Sequence, residues 1–286
     1  MEPAELFKVK GEGIEIQVGR WPGRGGPLLC LHGLTANLRC FELVAAGLAG
    51  TYQVLAMDLR GRGLSDKPES GYSLEHHCRD IVSLMAHLGL DRITLVGHSL
   101  GAYISLAFAA GHPELVERVV LLDGGGQLSP QQWQEVGQGI QAALERLGKV
   151  FPSLEEYMAP FHQLPYFTPW NQCIENYFRY ETEEVPGGVR SRVRPENIAE
   201  ERANLAQVDP TQLYPRVRCP VLILRATRGL LGERGLVLPP QAAERMLADL
   251  PRARMVELPG RDHYSILFQP DPRRDQAILE FMAEPG

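Results

Sequence analysis

One serine, one histidine and a choice of carboxylates in this chain could together perform nucleophilic chemistry. Ser99 is the central residue of a Gly-x-Ser-x-Gly pattern over residues 97–101. His263 follows the last apolar run of strand length and is the only histidine after His162. A serine hydroxyl becomes a nucleophile when a histidine accepts its proton and a carboxylate holds that histidine in the right tautomer. The sequence therefore predicts acyl transfer, with Ser99 as nucleophile and His263 as base.

The residues around Ser99 predict how its side chain is presented. Ile93, Leu95 and Val96 form a short apolar run typical of a buried parallel strand, and small residues dominate the helix predicted after Gly101. A strand, a sharp turn and a helix in this order strain the serine backbone and lift its hydroxyl to the top of the sheet. Glycines at both ends of the pattern let the strand and the helix approach each other closely. An ordinary strand-to-helix turn is the alternative interpretation.

With these elements around Ser99, the chain resembles the α/β-hydrolase fold family. The resemblance implies an α/β protein with a mostly parallel central sheet, flanking helices and an inserted helical cap. It also implies an oxyanion hole formed by the backbone amides of Leu34, which follows a His32-Gly33 pair, and of Leu100. We expect His32 to hold that loop by hydrogen bonding, because no other metal ligand lies at a fixed spacing from it.

The distribution of apolar runs predicts three consecutive parts of the chain. Residues 1–126 and 208–286 contain the buried-strand patterns and are expected to form the two portions of the core. Residues 127–207 lack such runs and contain ten aromatic side chains, so we expect a helical lid there. Aromatic side chains at this density suit an apolar substrate pocket, although about half are expected to form the lid's own core.

The carboxylate partner of His263 is an open choice between two residues. The usual position in the family follows the strand predicted at residues 220–225, and the only carboxylate there is Glu233. Asp123 ends the predicted strand that comes next after Ser99, and the carboxyl ends of parallel strands meet at one edge of a sheet. We favour Asp123, the position that resembles some dehalogenases and certain lactonases. Asp262 adjoins His263 in sequence and is poorly placed to reach its ring.

Length, charge and cysteine content exclude several classes of protein. The chain has 286 residues and a net charge of -6, which offers no basic surface for nucleic acid. No apolar run approaches the roughly 18 residues of a membrane span, and the N-terminal residues show no signal-peptide pattern, so a cytoplasmic protein is expected. Five cysteines without metal-ligand spacing are expected to be small buried apolar residues. The bias to arginine is compatible with a thermophilic source, and nothing indicates the oligomeric state.

The function predicted from these residues is that of a carboxylesterase that needs neither a metal nor another cofactor. Its substrate would be a small apolar ester, cleaved through an acyl-enzyme on Ser99. A lactonase or a carbon–carbon bond hydrolase would use the same three catalytic groups. A small-molecule receptor with the same fold and no turnover is the alternative from a different class.

Overall fold

The structure, a computed structural model, describes residues 4–285 and is organised around an eight-stranded sheet. The strand order is β1-β2-β4-β3-β5-β6-β9-β10, and all neighbouring pairs are parallel except β1 with β2 and β2 with β4. Its strands are β1 (Glu5–Lys10), β2 (Glu15–Trp21), β3 (Gly23–Leu31), β4 (Gly50–Met57), β5 (Ile93–His98), β6 (Val116–Leu122), β9 (Val221–Ala226) and β10 (Ala253–Leu258). This confirms the predicted α/β-hydrolase architecture with a mostly parallel sheet.

Burial explains why the apolar runs form the central strands. Residues 28–31 of β3 and every residue of β5 are buried, because helices cover both faces of a mostly parallel sheet. The helix after β5 lies directly on the sheet. A Cβ atom added at Gly101 would come within 1.9 Å of the Leu31 carbonyl oxygen, so only glycine permits this approach.

Eleven helices accompany the sheet within residues 4–285. They are α1 (Glu42–Gly47), α2 (Leu74–Leu88), α3 (Leu100–Gly111), α4 (Pro130–Gly139), α5 (Gln141–Glu145), α6 (Leu154–His162), α7 (Gln172–Glu181), α8 (Pro195–Leu205), α9 (Pro240–Asp249), α10 (Ser265–Phe268) and α11 (Pro272–Ala283). Short 3₁₀ turns lie at Leu38–Phe41, Pro165–Phe167, Pro210–Gln212 and Tyr214–Arg216. None of the helices in the described part of the chain is long and apolar enough to cross a membrane.

The segment between β6 and β9 contains α4 to α8, as expected of a largely helical insertion, but it is not wholly helical. Two short antiparallel strands, β7 (Thr182–Val185) and β8 (Gly188–Ser191), form a separate hairpin. Their residues are mostly half-buried or exposed, so they lack the continuous apolar run by which the core strands were predicted. The sequence analysis therefore did not predict this hairpin. Its division from the core at residues 127 and 207 stays a prediction.

The inserted segment shares an apolar cluster with the core. Phe167 packs edge-on against Phe268 of α10 and against Phe178, with ring centroids 5.2 and 5.5 Å apart. This packing joins the inserted segment to α10, two residues after His263. Five free cysteines are present, and all except the half-buried Cys173 are buried, which agrees with their predicted apolar role.

Candidate active site

Ser99 lies at the sharp turn between β5 and α3. Its φ of 55° and ψ of -118° place a non-glycine residue in a sparsely populated, strained region of backbone space. The Ser99 amide donates to the Leu122 carbonyl oxygen at 3.2 Å, which fixes the turn against β6. The side chain is half-buried. The predicted strained turn is thus present, and it leaves the hydroxyl open to a substrate.

Asp123 and His263 meet behind Ser99. Asp123 follows β6 directly, also at positive φ (46°), and its Oδ2 lies 2.8 Å from His263 Nδ1. Because a carboxylate can only accept, Nδ1 must carry a hydrogen, which leaves Nε2 of the neutral imidazole as an acceptor. The other carboxylate oxygen of Asp123 accepts the Ala226 amide at 3.2 Å, which ties this side chain to the end of β9. Both side chains are buried.

The other two carboxylates considered for this position lie elsewhere. Glu233 is exposed, on a loop held by the backbone bridges of residues 229–234. Asp262 uses its Oδ1 to accept the amides of Tyr264 and Ser265 at 3.1 and 3.0 Å, so it stabilises the loop after β10. Of the three candidates, only Asp123 is brought to the imidazole.

Ser99 and His263 line one cavity of about 60 Å³. Within the described residues, no hydrogen bond joins the side chains of Ser99 and His263. Hydrogen bonds between catalytic groups often tighten only when a substrate is bound. Five of the ten aromatic side chains of residues 127–207 line the cavity: Phe161, Tyr166, Phe167, Tyr177 and Phe178. The only charged side chain among its lining residues is Arg146, which is paired with Glu181. The cavity is therefore small, mostly apolar and free of unpaired charge.

The loop after β3, residues 32–36, which we call the Gly33 loop, lies against Ser99. A Cβ atom added at Gly33 would stand 3.1 Å from Ser99 Cβ, so glycine allows this close approach. The amides of Leu34 and Leu100 have no hydrogen-bond acceptor within the described chain. Leu34 lines the cavity, and Leu100 begins α3 directly after Ser99. Both amides are free to receive an oxygen atom of a ligand.

Two buried histidines support this arrangement in their neutral form. His32 Nδ1 donates to the Gly33 carbonyl oxygen at 2.8 Å, and its Nε2 accepts the Leu59 amide at 3.0 Å. His98 Nε2 donates to the carbonyl oxygen of His263 at 2.9 Å. Burial lowers the pKa of His32 to about 3 and holds the pKa of His98 well below its ordinary range. These contacts agree with the expected role of His32, which is to hold the Gly33 loop by hydrogen bonding.

These buried histidines predict that the free energy of unfolding falls on acidification. The pKa of His32 moves from 6.5 in the unfolded chain to about 3 in the fold, so the unfolded chain binds more protons between these values. Each such histidine costs about 1.4 kcal/mol of stability per pH unit in that window. Asp58 acts oppositely between pH 3.8 and about 6, because its burial raises the pKa of its carboxyl. With two histidines and one opposing carboxyl, the net expectation is a loss of about 1.4 kcal/mol per pH unit below pH 6.

Urea unfolding of the wild type and of His32→Asn at several pH values between 4.5 and 6.5 measures this effect. The variant should unfold more easily at neutral pH but show a shallower loss of stability on acidification. His87→Asn removes an exposed histidine and serves as the control. Equal slopes for the wild type and His32→Asn would contradict the assignment of His32 as a source of the acid sensitivity.

The sequence analysis missed two buried ion pairs beside the Gly33 loop. Arg62 contacts Glu201 of α8 at 3.0 Å, and Glu201 also accepts from His77 at 2.8 Å. Arg146 contacts Glu181 at the end of α7. The partners are separated by tens to more than a hundred residues in the chain, so no local pattern reveals them. Glu181 and Glu201 lie among many other glutamates of the inserted segment, so the sequence does not single them out.

Within residues 4–285, no group of three or more histidine, cysteine, aspartate or glutamate side chains is arranged to hold a metal ion. The chemistry available at the cavity is that of Ser99, His263, Asp123 and the two free amides.

Comparisons with known proteins agree with this fold. A family model described as the α/β-hydrolase fold matches residues 26–270. A 2-(acetamidomethylene)succinate hydrolase of Mesorhizobium japonicum is 32% identical over 249 residues, which cover 86% of this chain and 84% of that protein. A serine hydrolase-like protein of Danio rerio is 28% identical over 94% of this chain and 85% of its own length. The crystal structure of an E-2-(acetamidomethylene)succinate hydrolase has a TM-score of 0.86 and 29% identity, covering 98% of this chain and 100% of that one.

Proposed function

The chain belongs to the α/β-hydrolase fold family, and we propose that this hydrolase cleaves small carboxylic esters through an acyl-enzyme on Ser99. The observation that carries the proposal is the Asp123–His263 contact of 2.8 Å beside a cavity that also exposes Ser99. Together these residues provide a nucleophile, Ser99, and a base, His263, whose Nε2 is free. Asp123 provides the carboxylate that fixes the tautomer of that base.

The proposed reaction begins when Ser99 Oγ attacks the ester carbonyl carbon and His263 Nε2 accepts the hydroxyl proton. The carbonyl oxygen becomes an oxyanion that accepts hydrogen bonds from the amides of Leu34 and Leu100; each such donor contributes about 3 kcal/mol to catalysis. The tetrahedral adduct then breaks its bond to the alcohol oxygen, which takes the proton from His263. A water molecule, deprotonated by His263, then attacks the acyl carbon. The bond from that carbon to Ser99 Oγ breaks, Oγ takes the proton from His263, and the carboxylic acid leaves.

Pre-steady-state kinetics with p-nitrophenyl acetate test the proposal. We expect a burst of p-nitrophenolate close to one equivalent of enzyme if deacylation is the slower step, and a mass increase of one acetyl group in acid-quenched samples. Binding without turnover would favour the receptor alternative. Lactones and substrates cleaved at a carbon–carbon bond belong in the same assay panel, because they would use the same catalytic groups.

A second candidate substrate comes from the relative in Mesorhizobium japonicum. The compound in its name, 2-(acetamidomethylene)succinate, carries an acetyl group on nitrogen and two carboxylates. Its acetyl group suits a cavity of about 60 Å³. Arg146, the one cation that lines the cavity, is already neutralised by Glu181, which leaves no unpaired charge there for the carboxylates. Comparing kcat/KM for acetate release from this compound with kcat/KM for an ester shows which of the two is the better substrate.

The size of the cavity predicts a preference for short acyl groups. Forcing extra methylene groups into a packed site typically costs 1–3 kcal/mol. We expect kcat/KM to be at least about tenfold higher for p-nitrophenyl acetate than for the octanoate, since 1.4 kcal/mol corresponds to a factor of ten. Steady-state kinetics over a series of chain lengths measure this ratio.

A pair of variants tests whether the cavity itself sets the chain-length preference. Phe167 lines the cavity, and Phe167→Leu should reduce the acetate-to-octanoate ratio. Trp170 packs in the same aromatic cluster, stacked on Phe178, but is not among the lining residues. Trp170→Leu should therefore leave the ratio unchanged. A wild-type enzyme that prefers the octanoate would show that the acyl group binds elsewhere.

A further inference from the structure

The three consecutive carbonyl oxygens of Gly33, Leu34 and Thr35 each accept a hydrogen bond from a buried side chain. The donors are His32 Nδ1 at 2.8 Å, Arg62 Nε at 3.0 Å and Arg146 Nη2 at 3.2 Å, in that order. All three donors are buried. A surface loop ordinarily leaves its carbonyl oxygens to water. Here the Gly33 loop is instead held from the protein side, next to the reacting serine.

From this arrangement we propose that Arg62 and Arg146 are positioning residues that hold the Gly33 loop with the Leu34 amide directed at the oxyanion. The inference rests on the proposed function. In a planar trans peptide the C=O and N–H bonds point in opposite directions. The peptide that carries the Leu34 amide is fixed through the Gly33 oxygen by His32, and the next peptide is fixed through the Leu34 oxygen by Arg62. Leu34 is therefore held between two immobilised peptide planes.

Each arginine has a counter-charge from the segment between β6 and β9. Glu201 of α8 neutralises Arg62, and burial, which alone would raise the pKa of Glu201, is outweighed by His77 and Arg62, which lower it to about 2. Glu181 of α7 neutralises Arg146, and its attraction outweighs burial and raises the pKa of that guanidinium. A buried charge without its partner is strongly destabilising, so each glutamate holds the guanidinium group of its arginine in position.

In this arrangement the inserted segment helps to position the Gly33 loop beside Ser99, in addition to covering the active site. Glu181 also accepts hydrogen bonds from Tyr157 at 2.8 Å and Ser191 at 3.0 Å, so its carboxylate is itself held rigidly. Preorganised donors stabilise a developing oxyanion without reorganisation at the moment of reaction. Loosening the loop should therefore weaken binding of the transition state more than binding of the substrate.

The test compares the same substitution at two arginines of one loop. Arg62→Lys keeps the charge beside Glu201 but removes the Nε donor to Leu34. Arg60→Lys is the matched control, because Arg60 is also buried and paired, with Asp80 at 2.7 Å, but donates to Gly71 and not to the Gly33 loop. Thermal unfolding and circular dichroism establish the folded fraction of each variant. Two readouts follow: steady-state kinetics with p-nitrophenyl acetate, and affinity for phenylboronic acid, which forms a tetrahedral anionic adduct with an activated serine.

For Arg62→Lys we expect kcat to fall at least about tenfold with KM within about twofold of the wild type, and the Kd of phenylboronic acid to rise by a similar factor. Arg60→Lys should keep both quantities within about twofold per folded molecule. Arg146→Lys is the second variant, expected to act in the same direction, and it decides the matter if Arg62→Lys does not fold.

Kinetics and boronate affinity of Arg62→Lys and Arg146→Lys that match those of Arg60→Lys would overturn the proposal and leave the arginines a purely structural role. The boronate measurement separates this failure from failure of the proposed function, because it needs no turnover. A wild-type protein that binds the boronate but cleaves no ester would refute the esterase proposal alone. A wild-type protein that does neither would overturn both.

Discussion

Ser99→Ala should abolish ester hydrolysis while leaving the fold intact. Without the hydroxyl no acyl-enzyme can form, and in a serine protease the equivalent loss lowers kcat by about 10⁶. The melting temperature should hardly change, because the Ser99 side chain is half-buried, has no hydrogen-bond partner in residues 4–285, and shares its Cβ atom with alanine. The backbone at φ 55° is equally strained for both residues. Turnover of p-nitrophenyl acetate and a thermal melt, measured on the same preparation, check both expectations.

Ser105→Ala is the control for this substitution. Ser105 lies on α3, is fully buried and donates to the Gly101 carbonyl oxygen at 2.7 Å, so its removal perturbs the same helix without removing the nucleophile. We expect this variant to lose some stability, about 1 kcal/mol, and to keep its activity per folded molecule. Residual activity of more than a few per cent in Ser99→Ala, with unchanged burst amplitude, would show that another residue carries the acyl group.

The elements that could be predicted from the sequence are those with a local physical cause. Continuous apolar runs predicted β5, β6 and β9 because these strands are buried on both faces. The position of Asp123 followed from topology, since the carboxyl ends of β5, β6 and β9 must lie at one edge of a parallel sheet. The family resemblance then placed Leu34 and Leu100 near Ser99, and the structure has both amides free.

What could not be predicted depends on contacts between distant parts of the chain. The β7–β8 hairpin has few buried residues, so its sequence resembles a loop between helices. Glu201 and His77 are 124 residues apart, and each resembles an ordinary surface residue of an amphipathic helix. Only tertiary packing makes them members of one buried network with Arg62. The contacts of Arg62 and Arg146 with the Gly33 loop were therefore invisible in the sequence, whereas the loop itself and its hydrogen bond with His32 were predicted.

The second large effect is expected at Asp123, the proposed partner of His263. Asp123→Asn keeps the shape of the side chain, and the amide oxygen can still accept from Ala226 as Oδ1 does now at 3.2 Å. The amide NH₂ group would then face His263 Nδ1, which must become an acceptor. That tautomer places the ring hydrogen on Nε2, the atom that has to accept the proton of Ser99. In serine proteases this defect lowers kcat by about 10⁴.

Glu233→Gln is the matched test of the other carboxylate, because it makes the same chemical change at an exposed loop position. Surface substitutions of this kind usually alter stability by less than about 0.5 kcal/mol, and we expect activity to stay near that of the wild type. Asp123→Asn should lose turnover with only a modest change in melting temperature, because the contact to Ala226 survives. If Asp123 only stabilised the turn after β6, its variant would instead unfold more easily and keep its rate per folded molecule. A near-normal rate for Asp123→Asn together with a collapsed rate for Glu233→Gln would transfer the role to Glu233, and the 2.8 Å contact with His263 would then serve the fold alone.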